Sequence, residues 1–308
     1  MTALMGNLQG FAYAQARLQA RYAELPAESD WQRLSASRTL SGYLEDARGG
    51  ALRIWVKGFS AQSNCHDIER GIRGQFIDTV DQLARFAPGP WREAVRWCRW
   101  LPWLGLFDHL RAGGALPVWA KRAYRLADLF GEVGEVGGLD ADAVRSAGIG
   151  SLLSSVSAAV GPTAARSIAM DGSGIWTGQW RRRWPACSRS GSIALESIVG
   201  LCATHLRAFR DAAPDAAWIL RQQLRERLRF LFHLHLRQPV ELFVFLALTA
   251  LDLERLRRAL LDRALFGDLP TTAAMDPDAT RSAGDTVVRD AVNGSEGSSA
   301  TGRPGQPV

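Results

Sequence analysis

An all-α fold is what this 308-residue sequence predicts, on three observations. Apolar side chains recur at spacings of three and four in nearly every legible segment, which is the helical period. The one strand-like run, Ile54-Trp55-Val56, has no second run to pair with, so helix or extended linker is expected there. Prolines and glycine pairs punctuate the periodic segments where helices must stop.

Taken in order, Phe11, Ala14, Leu18, Tyr22 and Leu25 form the stripe of a first helix closed by Pro26. Ser29 to Gln32 has the form of a capping box opening a short helix with Trp31 and Leu34. Thr39 to Arg48, with Leu40, Tyr43 and Leu44, is a third, ending at Gly49-Gly50. From Cys65, with Asn64 as N-cap, Ile68, Ile72, Phe76, Val80, Leu83 and Phe86 mark a long amphipathic helix up to Pro88. Gly71 and Gly74 inside it each cost about 1 kcal/mol against Ala, which points to a late helix start or to close approach by another backbone. Pro90 opens the next helix at its favoured first position, and Pro102 ends it. Helices follow at Trp103 to Arg111, ending at Gly113-Gly114, and at Val118 to Phe130. The span 130–192 is irregular and rich in Gly and Ser, with helical scraps at 144–160 and 164–169. Ile193, Ile198, Leu201, Leu206 and Phe209 restore the period up to Pro214. Trp218, Leu220, Leu224, Leu228, Leu231 and Phe232 then define a long helix whose other face is expected to carry Arg221, Arg225 and Arg229.

The closing stretch, Gln238 to Gly267, reads as two consecutive helical segments in different surroundings. Around Val240, Phe243, Val244 and Leu248 the intervening Leu242, Phe245 and Leu246 are apolar too, so the first segment is greasy all round. It is shorter than the roughly twenty residues of a bilayer span and carries Glu241, so a buried core helix is expected. In the second, Leu253, Leu256, Leu260 and Leu261 form one stripe. Asp252, Glu254, Arg255, Arg257, Arg258 and Asp262 are assigned to the opposite, partner-facing edge.

Composition sets the bounds. With 47% hydrophobic and 22% charged residues the chain is of ordinary globular type. Residues 269–308 have almost no large apolar side chains and are expected to be a disordered tail behind an all-helical body of related units over 1–268. The tail takes three of the 37 basic and five of the 31 acidic residues, which leaves the body at +8. Only Lys57 and Lys121 are lysines, and so uniform a use of arginine reads as compositional habit rather than as nucleic-acid contact. Four cysteines and no signal-peptide pattern fit reduced thiols in a cytosolic protein, with any membrane association made through partners.

No constellation calls for chemistry. Cys202-x-x-His205 and His233-x-His235 lack the ligand set of a tetrahedral metal site. Cys65-His66 cannot face each other, Ser188, Ser190 and Ser192 form no nucleophile elbow, and the glycine runs at 131–137 and 148–150 follow no strand. The expected sets of catalytic, cofactor-binding and metal residues are therefore empty, and no nucleotide is expected to bind. Two surfaces remain as candidate contacts. Trp176, Trp180 and Trp184 with Arg181, Arg182 and Arg183 make a basic aromatic patch, and Arg221, Arg225 and Arg229 make a charged face. Trp91, Trp97, Trp100, Trp103 and Trp119 are expected in core and interface, stacked with Arg92, Arg96 and Arg99.

Two ends of the chain resemble one family. Phe11 to Arg21, followed by Trp31, Leu34 and Tyr43-Leu44, looks like the start of the C subunit of the A-type/V-type rotary ATPases, the relative of the V-ATPase d subunit. The closing stretch resembles that family's last repeat, in which a buried helix leads into Leu-x-x-Leu-Arg, here Leu253-Glu-Arg-Leu-Arg257, and ends at Phe266-Gly267. Gly114-Ala-Leu-Pro117 and Gly267-Asp-Leu-Pro270 share an ending, as internal repeats would. The resemblance implies a pseudo-threefold funnel of helical units seated on the membrane rotor ring and receiving the central stalk. It implies a non-catalytic component that couples stalk to ring for ion transport, held at the inner face of the membrane through its partners. The other reading of the residues is a helical adaptor that binds protein or RNA through its Arg-rich faces.

Overall fold

Several of the described helices are delimited by local signals in the sequence. The computed structural model describes residues 2–121, 123, 126, 149–153 and 172–267. The expected disordered tail lies outside them, as do most of the irregular span and both expected scraps apart from 150–153. Among the described residues every regular element is helical.

The first five helices are α1 (Thr2–Ala23), α2 (Glu28–Ser35), α3 (Leu40–Arg48), the single turn α4 (Arg53–Val56) and α5 (Cys65–Phe86). Thr39 Oγ1 caps α3 by accepting from Gly42 N–H, and Asn64 Oδ1 caps α5 by accepting from Asp67 N–H. The α2 cap differs from the expected one. Ala27, not Ser29, is the N-cap, and the Asp30 carboxylate reaches back to its N–H at 3.0 Å. Alanine has no oxygen to return, so only half of the box forms. Ile54 to Val56 takes the helical alternative.

After a 3₁₀ turn at Gly89–Trp91 come α6 (Arg92–Trp97), a 3₁₀ segment Cys98–Trp103 and α7 (Leu104–Arg111). Pro102 sits inside that 3₁₀ segment instead of ending a helix. Gly113 closes α7 at φ 84°, the left-handed conformation glycine adopts without a Cβ penalty. Short turns α8 (Val118–Lys121) and α9 (Gly150–Leu153) follow, then α10 (Gly172–Arg181), α11 (Arg189–Arg210), α12 (Pro214–Leu234) and α13 (Val240–Phe266). Helix α10 lies where irregular chain was expected.

The closing stretch is one continuous 27-residue helix, not two, because no proline or glycine interrupts Val240 to Phe266. Its change of surroundings is as expected. Every residue from Val240 to Leu246 is buried, after which burial narrows to one stripe through Leu253, Leu256 and Leu260. Asp252 belongs to that stripe and is fully buried, contrary to its assignment to the charged edge. Helices α5, α6 and the 3₁₀ segment pack on one another, α10 packs on α6 and α7, and α11 pairs with α12. A single apolar cluster runs through them, from Leu18, Trp31 and Tyr43 to Trp97, Trp180, Phe243 and Leu260. No described helix is long and apolar enough to cross a membrane.

Candidate interaction site

Several arginines of α12 and α13 turn their donors toward the inside of the molecule. Arg221 and Arg225 lie on the inner side of α12 with the buried Leu224, Leu228 and Phe232, so the row read as an outer charged face points largely inward. The cause is one carboxylate. Asp252 on α13 is fully buried, and Arg225 (9% exposed) pairs with it while donating its other terminal nitrogen to the Pro26 carbonyl at 3.0 Å. That one guanidinium ties α12 to α13 and to the turn after α1. Burial pushes the Asp252 carboxyl up to about 6 despite the opposing pull of Arg225. Arg221 approaches Glu254 at 3.6 Å and stacks on Phe209. Arg229 lies half-buried beside Glu28 and adds to the field there.

Arg255 forms a two-pronged bond to Glu28, at 2.7 and 2.8 Å, with its plane between the Trp31 and Trp218 rings. That hydrogen bond holds the Glu28 carboxyl below its ordinary range. Arg257 donates to Glu69 at 2.7 Å and to Glu254, linking α13 to α5. Arg263 donates to the carbonyls of Ser37 and Leu34 and lies over Tyr43. Of the residues expected at the α13 edge, Arg258 is exposed and carries no carboxylate partner among the described residues.

The basic aromatic patch is reorganised in the same way. Spaced at i, i+4, i+8, Trp176, Trp180 and Trp184 share one face across α10 and its end, and the first two are buried. That periodicity was visible in the sequence as the signature of a packed helix. Trp176 and Trp180 donate their Nε1–H to the carbonyls of Trp97 and Ala94, and Trp184 meets Trp180 edge-on. Arg181 bonds Glu196 through two nitrogens at 2.8 and 2.7 Å, and Arg183 lies 3.7 Å over the Trp97 ring. Of the three basic residues, Arg182 alone stands exposed without a side-chain partner among the described residues. The expected stacking of Arg92, Arg96 and Arg99 on tryptophans is replaced. Arg92 bonds the Ala87 carbonyl, Arg96 pairs with Glu93 and Arg99 with Asp81, while Arg73 lies over both rings of the stacked Trp103–Trp119 pair.

Packing these indoles against α13 leaves a half-open trough of about 240 Å³ that no sequence motif announced. It is lined by Trp176 and Trp180 of α10, Val199 and Leu206 of α11, and Ala247 and Ala250 of α13. Cys98 and Cys202 lie in its lining, and burial raises both thiols, Cys202 to about 11, so they stay protonated at neutral pH. Among the described residues no group of three His, Cys, Asp or Glu is placed to hold a metal. Comparison with known proteins returns no matching family model, curated protein or solved structure.

Proposed function

We propose that this chain is a non-catalytic coupling subunit of an A/V-type rotary ATPase, joining the central stalk to the membrane rotor ring. The observation that supports this reading is the packing of its two ends. The N-terminal segments that carry the resemblance and the closing helix form one ion-paired unit. Arg255 grips Glu28 across 227 positions and covers Trp31, Arg263 reaches the Ser37 carbonyl and Tyr43, and Gln19 donates to the buried Glu241. A part that passes torque needs such cross-links, because loosely docked helices would slip under load. The three-unit funnel and the ion-transport role belong to the same proposal. With Arg225 buried and Arg221, Arg255 and Arg257 paired internally, contacts to partners fall to Arg182, Arg258 and exposed apolar positions. The same pairing argues against RNA binding through the α12 face.

The test is co-purification of the tagged full chain with the central-stalk proteins and the rotor ring from a reconstituted complex. Stoichiometric retention by both is the expected result, and failure to bind either one overturns the proposal.

A further inference from the structure

We propose that the cleft where the end of α1, the segment 50–55 and α5 meet over α13 binds a free aromatic amino acid as its zwitterion. This inference goes beyond the coupling reading and does not rest on it.

The cleft measures about 280 Å³, room for one small molecule. Its buried lining is Leu83, Phe245 and Thr249, whereas Arg53 and Asp78 stand exposed at its rim. Depth is therefore mainly apolar and the rim is charged. Trp55 lines the same cleft half-buried. It alone of the eleven tryptophans has no aromatic ring or guanidinium against it among the described residues. An aromatic ring entering the cleft is the partner that this indole lacks.

The charges of the lining select the head group. They are two of each sign: Arg21, Arg53, Glu24 and Asp78. Arg21 pairs with Glu24 at 3.4 Å and also donates to Gln82 Oε1. Arg53 and Asp78 carry no partner among the described residues, and they do not reach each other. Arg17 and Arg85 border Asp78 in the adjoining groove, and neither pairs with it. One free cation and one free anion thus stand on a lining without net charge. A ligand of one sign matches only one of them, and a zwitterion matches both. Helix α5 gives the ammonium its place. Gln75, Asp78, Thr79 and Gln82 recur at i, i+3, i+4 and i+7 along one face. Thr79 spends its hydroxyl proton on the Gln75 carbonyl at 2.9 Å, so its oxygen is left to accept beside Asp78. The guanidinium of Arg53 suits the carboxylate. A head group held between the two turns its side chain toward Leu83, Phe245 and Trp55, where a ring needs no polar partner.

The probe is para-fluoro-L-phenylalanine, titrated against the full chain and read by the broadening of its fluorine NMR signal. Saturable binding with a Kd of about 1 mM or below is expected, the range open to so small a ligand. Two analogues each lack half of the head group: para-fluorophenethylamine has no carboxylate, and para-fluorohydrocinnamate has no ammonium. Each is expected to bind about tenfold more weakly or worse. Asp78→Asn and Arg53→Gln change exposed rim positions and leave the core alone. Asp78→Asn is expected to weaken the amino acid and the amine but not the hydrocinnamate. Arg53→Gln is expected to weaken the amino acid and the hydrocinnamate but not the amine. The proposal is overturned if the amino acid does not bind saturably, if either analogue binds as tightly, or if either substitution leaves amino-acid binding unchanged. Equal weakening of all three ligands by both substitutions, the mark of a distorted cleft, overturns it as well.

Discussion

Trp97 and Trp176, 79 positions apart, exchange hydrogen bonds: each indole Nε1–H donates to the other residue's carbonyl oxygen, at 3.1 and 3.3 Å. Both rings are buried, so each donor satisfies an acceptor that water cannot reach, and α10 is locked in register on α6. Trp176→Phe keeps most of the packing volume but removes the indole donor to the Trp97 carbonyl. A loss of about 1–3 kcal/mol is expected, read as a lower urea midpoint with an unchanged slope.

The Asp252–Arg225 pair makes a second, pH-dependent prediction. The folded-state pKa of Asp252, about 6, lies above its ordinary value of 3.8. The folded protein therefore holds this proton more tightly than the unfolded chain does. The stabilisation it brings is complete below about pH 4 and is lost as pH rises through 6, a change on the order of 3 kcal/mol. Other carboxyls titrate in the same window: burial raises Glu241, which acts in the same direction, while Arg255 lowers Glu28, which acts in the opposite one. The difference between wild type and Asp252→Asn isolates the single group. Urea unfolding at a series of pH values should show wild type losing ground to the variant between pH 4 and 6; a constant difference would refute the assignment.

Removing the carboxylate altogether acts differently. Asp252→Ala leaves the buried Arg225 with only the Pro26 carbonyl, and a loss of about 3–5 kcal/mol at neutral pH is expected by thermal or urea unfolding.

For Arg255 and Glu28 the expected energy is smaller, because the Glu28 side chain is 41% exposed. A double-mutant cycle with alanine at both positions should return a coupling of about 1 kcal/mol that shrinks in high salt. Arg255→Lys should fail to restore it, since an ammonium has neither the two-pronged fork nor the flat face that Trp31 and Trp218 cover.

The two glycines of α5 are predicted to behave in opposite ways. A Cβ on Gly71 would lie 2.4 Å from the buried Phe59 ring, whereas one on Gly74 meets nothing within 4 Å. Gly74→Ala should stabilise by about 1 kcal/mol through helix propensity. Gly71→Ala should destabilise by about 1–3 kcal/mol, because a ring inside the core cannot step aside without strain. Thermal unfolding of the two variants side by side checks both signs. The close approach expected at one of these glycines is real, but it comes from a side chain and not from another backbone.

What the sequence by itself determined is the helical class, the order of elements and most of their ends. Those are local matters: Thr39 and Asn64 cap within three residues of themselves, and the all-apolar run from Leu242 to Leu246 has no outer face on which to be exposed. Only the tertiary structure decided which charges are surface and which are core. Asp252 and Arg225 look like solvated helix positions until α12 and α13 are side by side, because a buried ion pair is set by a partner 27 positions away and not by its neighbours. Trp176 and Trp180 of α10 came to line the trough for the same reason. Their hydrogen-bond acceptors, Trp97 and Ala94, lie 79 and 86 positions back. The trough exists only where helices distant in the chain meet without closing, a shape that no single stretch of sequence encodes.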